Sequence, residues 1–198
     1  MESQTTAPTS EPLTIEEAKQ HTRVSHSHED ALFTRWISAA REYAETWTGR
    51  QFMLATWQLW LPSFWPHTLE LPHAPLSSIS AVRYYDADNA QQTWAASNYA
   101  ALAPVGPNAR PGRLDYVYGI TTPETYSRED AVEVEFVAGY ANAAAVPSAI
   151  KAALLLLVSE MNERREQVVV GTIQSANLVR AEALLAPFAV HASFRWSG

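Results

Sequence analysis

Between Val146 and Glu166 the chain reads VPSAIKAALLLLVSEMNERRE, and this stretch restricts the fold more than any other. Pro147 stands where a helix takes its first residue, because the missing N–H and the fixed φ cost nothing there. Ile150, Ala153, Leu154, Leu157, Val158 and Met161 follow at spacings of three and four, the stripe of a packed helix. Leu155 and Leu156 make the opposite side apolar too, so the first half is expected to be buried nearly all round. Asn162, Glu163, Arg164, Arg165 and Glu166 then turn the second half polar. One end belongs in a core, the other in water or against a polar partner, and the other helices must pack on it.

Two further helices are expected before residue 50. Thr14 caps the first, Glu17 reaches back as its third residue and Leu13 staples onto Ala18, with an end near His21 to Val24. The second starts after a Ser27 cap with Glu29 and Asp30 in its first turn, and Gly49 closes it. Its apolar face carries Leu32, Phe33, Trp36, Ile37, Ala40, Tyr43, Ala44 and Trp47. The period then changes to two. Strands are expected within Gln51–Leu61, at Thr68–Leu71, at Ile79–Tyr85, at Gln91–Trp94 and at Ala131–Val137, where glutamates alternate with apolar residues. Asp86–Asn89 is a hairpin turn, and Val105–Arg113, rich in Pro and Gly, is a loop. A last helix spans Ser175–Leu185, with Leu178, Val179, Ala181, Leu184 and Leu185 on its apolar side and Pro187 stopping it.

The fold class is therefore α+β: a small bundle of about four helices with an antiparallel β-rich insertion between the second and third, and an extended C-terminal tail. The expected divisions are a flexible N-terminal arm (1–11), helices one and two (12–50), the insertion (51–140), helices three and four (146–186) and a docking tail (187–198). The 198 residues are 47 % hydrophobic and 18 % charged, enough for a real core. The ALLLLV run is far too short for a membrane span, and the first residues lack the pattern of a signal peptide. No cysteine is present, which excludes disulfides and thiolate metal sites. The net charge of −7 argues against a protein that grips nucleic acid through a basic patch. Phe188, Val190, Phe194 and Trp196 make the tail too apolar to be left in water, so it is expected to dock on this fold or on a partner.

Residue types that carry chemistry are present but not assembled. His21, His26 and His28 cluster across a helix end without the spacing of a metal site. Asp86-Ala87-Asp88-Asn89 starts like a calcium loop but has neither the glycine nor the closing glutamate. No nucleophile elbow, phosphate loop or dinucleotide fingerprint occurs. Glu133 and Glu135 share one side of a strand, the placement a small hydrolase would need, although such pairs are usually a solvated face. Arg164 and Arg165 end a helix, where the dipole favours cations, and a salt bridge to a neighbouring subunit is the sharper alternative. No catalytic, cofactor or metal residue is assigned, and the chain is read as a non-enzyme.

The order of segments carries a resemblance. PLTIEEAKQHTRV followed by HEDALFTRWISAAREYAETWTGRQF resembles the N-terminal part of phage head–tail connector proteins, the neck adaptors of long-tailed phages and gene-transfer particles. TWQLWLPSF, LELPHAPLSSISAVRYYDADNAQQTW, VEVEFVAGYANAAAVPSAIKAALLLLVSEMNERRE and the late LLAPF follow in the same order, over roughly residues 12 to 190. The resemblance implies a structural virion protein. Its copies would form a ring, dodecameric on the portal, that extends the DNA channel and gives a platform to a stopper or other tail-side neck protein. It implies assembly in the host cytoplasm, no cofactor, no membrane, and DNA passing without specific binding. The tail, with Phe188, Val190, Phe194, Arg195 and Trp196, would wedge onto the portal, and Arg164 and Arg165 are candidates for contacts between subunits. A stopper or tail-completion protein is the alternative within the same class.

Overall fold

The computed structural model describes residues 1–164 and 176–190. Four helices form one body: α1 (Ile15–Thr22), α2 (Asp30–Thr48), α3 (Ser148–Glu163) and α4 (Ala176–Leu185). α1 begins with the expected capping box. Thr14 Oγ1 accepts the Glu17 N–H at 3.1 Å, and Glu17 Oε2 accepts the Thr14 N–H at 2.8 Å. The expected Ser27 side-chain cap on α2 is not made. Glu29 is the cap residue instead, and the Ser27 carbonyl accepts the Asp30 N–H in a preceding turn. Pro147 precedes the first residue of α3 rather than occupying it.

α1, α2 and α4 all pack on α3. Ile150, Ala153, Leu154 and Val158 are completely or nearly completely removed from water, together with Phe33 and Ile37 of α2 and Ala181 and Leu185 of α4. Each large apolar side chain buried this way is worth about 2 kcal/mol. The face of α2 is narrower than its sequence suggests. Tyr43 and Trp47 lie at its edge, 38 % and 37 % exposed, and Val179 of α4 is likewise exposed. α4 stops at Leu185, before Pro187 as expected, and a short 3₁₀ turn, Ala186–Phe188, follows it.

The insertion is a small sandwich. Its larger sheet contains β1 (Glu2–Thr6), β2 (Ala55–Leu61), β4 (Leu76–Tyr85), β5 (Gln91–Trp94) and β8 (Val132–Ala138). Its strand order is β1-β2-β8-β4-β5, antiparallel throughout. The smaller sheet, β3 (Thr68–Glu70), β7 (Arg113–Tyr116) and β6 (Tyr99–Leu102), is ordered β3-β7-β6. Val132, Val134, Phe136 and Ala138 of the central β8 point into the space between the sheets and are fully buried. Phe64, Trp65, Tyr84, Trp94, Tyr99 and Tyr116 form one aromatic cluster there, with Trp65 stacked on Tyr116 at 5.2 Å. Much of the chain's tryptophan and tyrosine is therefore core.

Three expectations need correction. The N-terminal arm is not a free polar arm, because Glu2–Thr6 forms the edge strand β1 against β2. Its main-chain groups complete the ladder, and a polar side-chain pattern carries no sign of that. The expected Val105–Arg113 loop ends one residue earlier, because Arg113 opens β7, and the strands on either side of it, β6 and β7, carry no reading in the sequence. Glu133 and Glu135 are not on a wholly wet face. They are half-buried, and both contact Arg83 Nη1, at 2.6 and 3.0 Å.

Leu154 is the sharpest test of the helical core. Leu154→Ala is expected to lower unfolding stability by about 3 kcal/mol, and Leu154→Asp to prevent folding by burying an unpaired charge. Urea denaturation followed by circular dichroism measures both, and a folded, soluble Leu154→Asp protein would contradict the assignment.

Candidate partner-docking site

The helical body and the insertion meet at the C-terminal end of α2. Arg41, 7 % exposed, holds Glu11 through Nε at 2.7 Å and Glu45 through Nη1 at 2.7 Å. Ser38 Oγ donates to Glu11 Oε1 at 2.7 Å. Glu45 Oε1 also accepts Gln51 Nε2 and the Phe52 N–H, each at 2.7 Å. Burial works to release the Arg41 proton, but Glu11 and Glu45 together outweigh it and hold the proton more tightly than usual. Burial pushes the Glu45 carboxyl up, yet three short donors are the partners of an ionised carboxylate, and the pair is read as charged.

The network continues into the sheets. Gln51 Oε1 accepts the Trp57 indole N–H at 3.2 Å, and Trp57 stacks on His73 with ring centres 3.6 Å apart. His73 Nε2 lies 3.4 Å from Glu2 Oε1, and this contact holds the Glu2 carboxyl below its usual range. Gln4, Ala7 and Pro8 on one side, and Arg41, Thr46 and Arg50 on the other, line an open cavity of about 500 Å³ beside this network.

The last described residues of the chain lie next to this joint. Phe188 is 7 % exposed and belongs to the helical core, and its carbonyl accepts the Arg50 Nε–H. The Val190 N–H bonds the Thr48 carbonyl at 2.6 Å. Gly49 is needed here for two reasons. Its φ of +67° is left-handed, and a Cβ would stand 2.5 Å from the Val190 carbonyl oxygen. Phe188, expected as a docking anchor, is thus committed to its own chain, whereas Val190 is half-buried. Phe194, Arg195 and Trp196 lie outside the described residues.

The other residues singled out in the sequence are dispersed. Arg164 ends α3 with its side chain 62 % exposed and pairs with Glu160 at 2.9 Å, an i,i+4 contact on its own helix. Arg165 lies outside the described residues. His21, His26 and His28 are all exposed. Asp86 accepts the Asp88 and Ala90 N–H groups and Gln92 Nε2, so its carboxylate closes the hairpin turn. Among the described residues no group of three or more His, Asp and Glu is placed to hold a metal ion, and no helix is long and apolar enough to cross a membrane. Leu102 and Val105 are exposed at the β6–β7 turn, and Tyr118 is exposed beyond the other end of β7.

The joint itself escaped sequence reading. Arg41 and Glu45 stand four apart, a legible helix pair, but Glu11 is 30 residues away and nothing local points to it. Arg41→Ala leaves Glu45 buried without its cation, and a loss of about 3 kcal/mol is expected in urea denaturation. A loss below about 1 kcal/mol, the range of an exposed pair, would show that the network does not hold the joint.

Residues 12–94 match the model of the family described as phage gp6-like head-tail connector protein. No curated protein matches the chain. Among solved structures, a chain in the virion of a native gene transfer agent particle has a TM-score of 0.76 at 22 % identity, covering 98 % of this chain and 100 % of that one. A chain in the neck of the native particle, in C12 symmetry, has a TM-score of 0.73 at 22 % identity, with 100 % of both chains covered. A chain in the neck of the empty particle, in C6 symmetry, has a TM-score of 0.73 at 22 % identity over 93 % of this chain and 94 % of that one. Residues 12–94 thus carry the pattern of a head–tail connector family, and nearly the whole chain shares its fold with chains of the gene transfer agent particle.

Proposed function

We propose that this chain is the subunit of a neck ring that sits below the portal of a phage-like particle, extends its DNA channel and carries the next neck or tail protein. The observation that carries the reading is the coincidence of two findings: the connector pattern in residues 12–94, and a fold shared over the whole length with chains of a gene transfer agent neck. Twelve copies are the number the C12 neck suggests. Such a ring is built from heterologous contacts that close, so one side of each subunit complements a different side of the next. Arg164, exposed at the end of α3, and Arg165 are proposed at that contact. The net charge of −7 suits a channel wall along which DNA slides without adhering. The particle neck is the proposed location, with assembly in the host cytoplasm.

Docking to the portal is assigned to the tail from Val190 onward, with Phe194, Arg195 and Trp196 as its anchors. Phe188 is better placed as the clamp that fixes where the tail starts, because it is buried against α3's core and tied to Arg50. A truncation after Val190 therefore tests the reading more cleanly than one before Pro187, which would also open the core. The truncated protein is expected to keep its circular dichroism spectrum and to stop co-sedimenting with portal rings. Trp196→Ala alone is expected to weaken attachment by about 2 kcal/mol. Undiminished binding after truncation would remove the tail from the mechanism.

A further inference from the structure

The strand β1 is an unusual edge. All five of its residues are exposed, so it adds nothing to either core. It is held by its ladder with β2, in which Glu2, Ser3 and Gln4 face Leu59, Gln58 and Trp57. The Trp60 N–H donates to the Met1 carbonyl at 2.8 Å, and Thr5 Oγ1 donates to the Thr56 carbonyl at 3.2 Å. Yet β2 cannot do without a partner on that side. A bare edge beside a core strand leaves N–H and C=O groups free to pair with any other chain.

In the connection from β1 to α1, Ala7 and Pro8 border the 500 Å³ cavity, while Glu11 is fixed by Arg41 and Ser38. The segment is thus pinned at one end, and the five residues from Ala7 to Glu11 can reach about 17 Å when extended. Every side-chain contact of β1 ends on the receiving side: Glu2 on His73, and Thr5 on Thr56. Those contacts would be remade unchanged on an identical neighbour.

We propose that β1 is exchanged in the ring, so that β1 of one copy completes the β2 edge of the next. The inference rests on the ring reading above. Exchange of an identical element requires no new surface, and the donated strand would link neighbours through main-chain hydrogen bonds. No core is lost in the transfer, because β1 buries none.

The absence of cysteine allows a direct test. One chain carries Ser3→Cys and a second carries Gln58→Cys, positions that face each other in the β1–β2 register. The two are mixed as monomers, allowed to assemble, alone and with portal, and treated with a short thiol-to-thiol cross-linker. The doubly substituted chain serves as the control that the register exists. Exchange predicts a covalent pair of twice the chain's mass from the mixture, and a ladder of multiples from the double variant. Multimers by light scattering that yield no covalent pair, with the double variant linked only within single chains, would overturn the exchange and leave the ring reading standing. No species larger than the monomer under any condition would overturn both.

Discussion

The buried Arg41 guanidinium is the constraint on which the arrangement of parts depends. Without it, Glu11 and Glu45 would be two carboxylates facing each other at the edge of a core. With it, they become the two ends of a clamp that ties the start of α1, the last turns of α2 and the first residues of the insertion. A guanidinium suits the position because its planar fork gives separate N–H groups to two acceptors, which an ammonium on a flexible stem does not. The Trp57–His73 stack carries the same joint outward to β1. The helical body and the β sandwich are therefore joined by polar contacts of fixed geometry, where apolar contact alone would let them slide.

Much of the helical body was legible because its signals are local. The stripe of α3, the Thr14–Glu17 box and the glycine end of α2 each depend on residues within one or two turns of one another. The central strand β8 was legible for the same reason, its alternation being carried by seven consecutive residues. What failed was non-local. β1 has no apolar period, since an edge strand that faces water on both sides needs only main-chain partners, and its partner β2 begins about fifty residues later. β6 and β7 were hidden by the Pro- and Gly-rich turn between them. Phe188 looked like a surplus aromatic in a tail, and only the packing of α4 shows that it is core.

For the docking residues the division follows the same line. The sequence marks the tail as too apolar for water but carries no sign that its first residues belong to the fold. Phe188 is core, and the Val190 N–H is held by the Thr48 carbonyl beside Gly49. Among the most exposed apolar residues, Leu102 and Val105 lie at the β6–β7 turn, and Tyr118 lies beyond the other end of β7. The polar outer face of β2, β8 and β4, where Gln58, Glu133, Arg83 and Glu135 bond to one another, is by contrast satisfied within its own chain.

Rotational averaging of electron images of this protein bound to its portal tests the neck-ring reading most directly. A ring of twelve copies on the portal axis, with the central channel open, is the expected result. Single copies scattered around the portal, or a portal with no added density at its base, would contradict it.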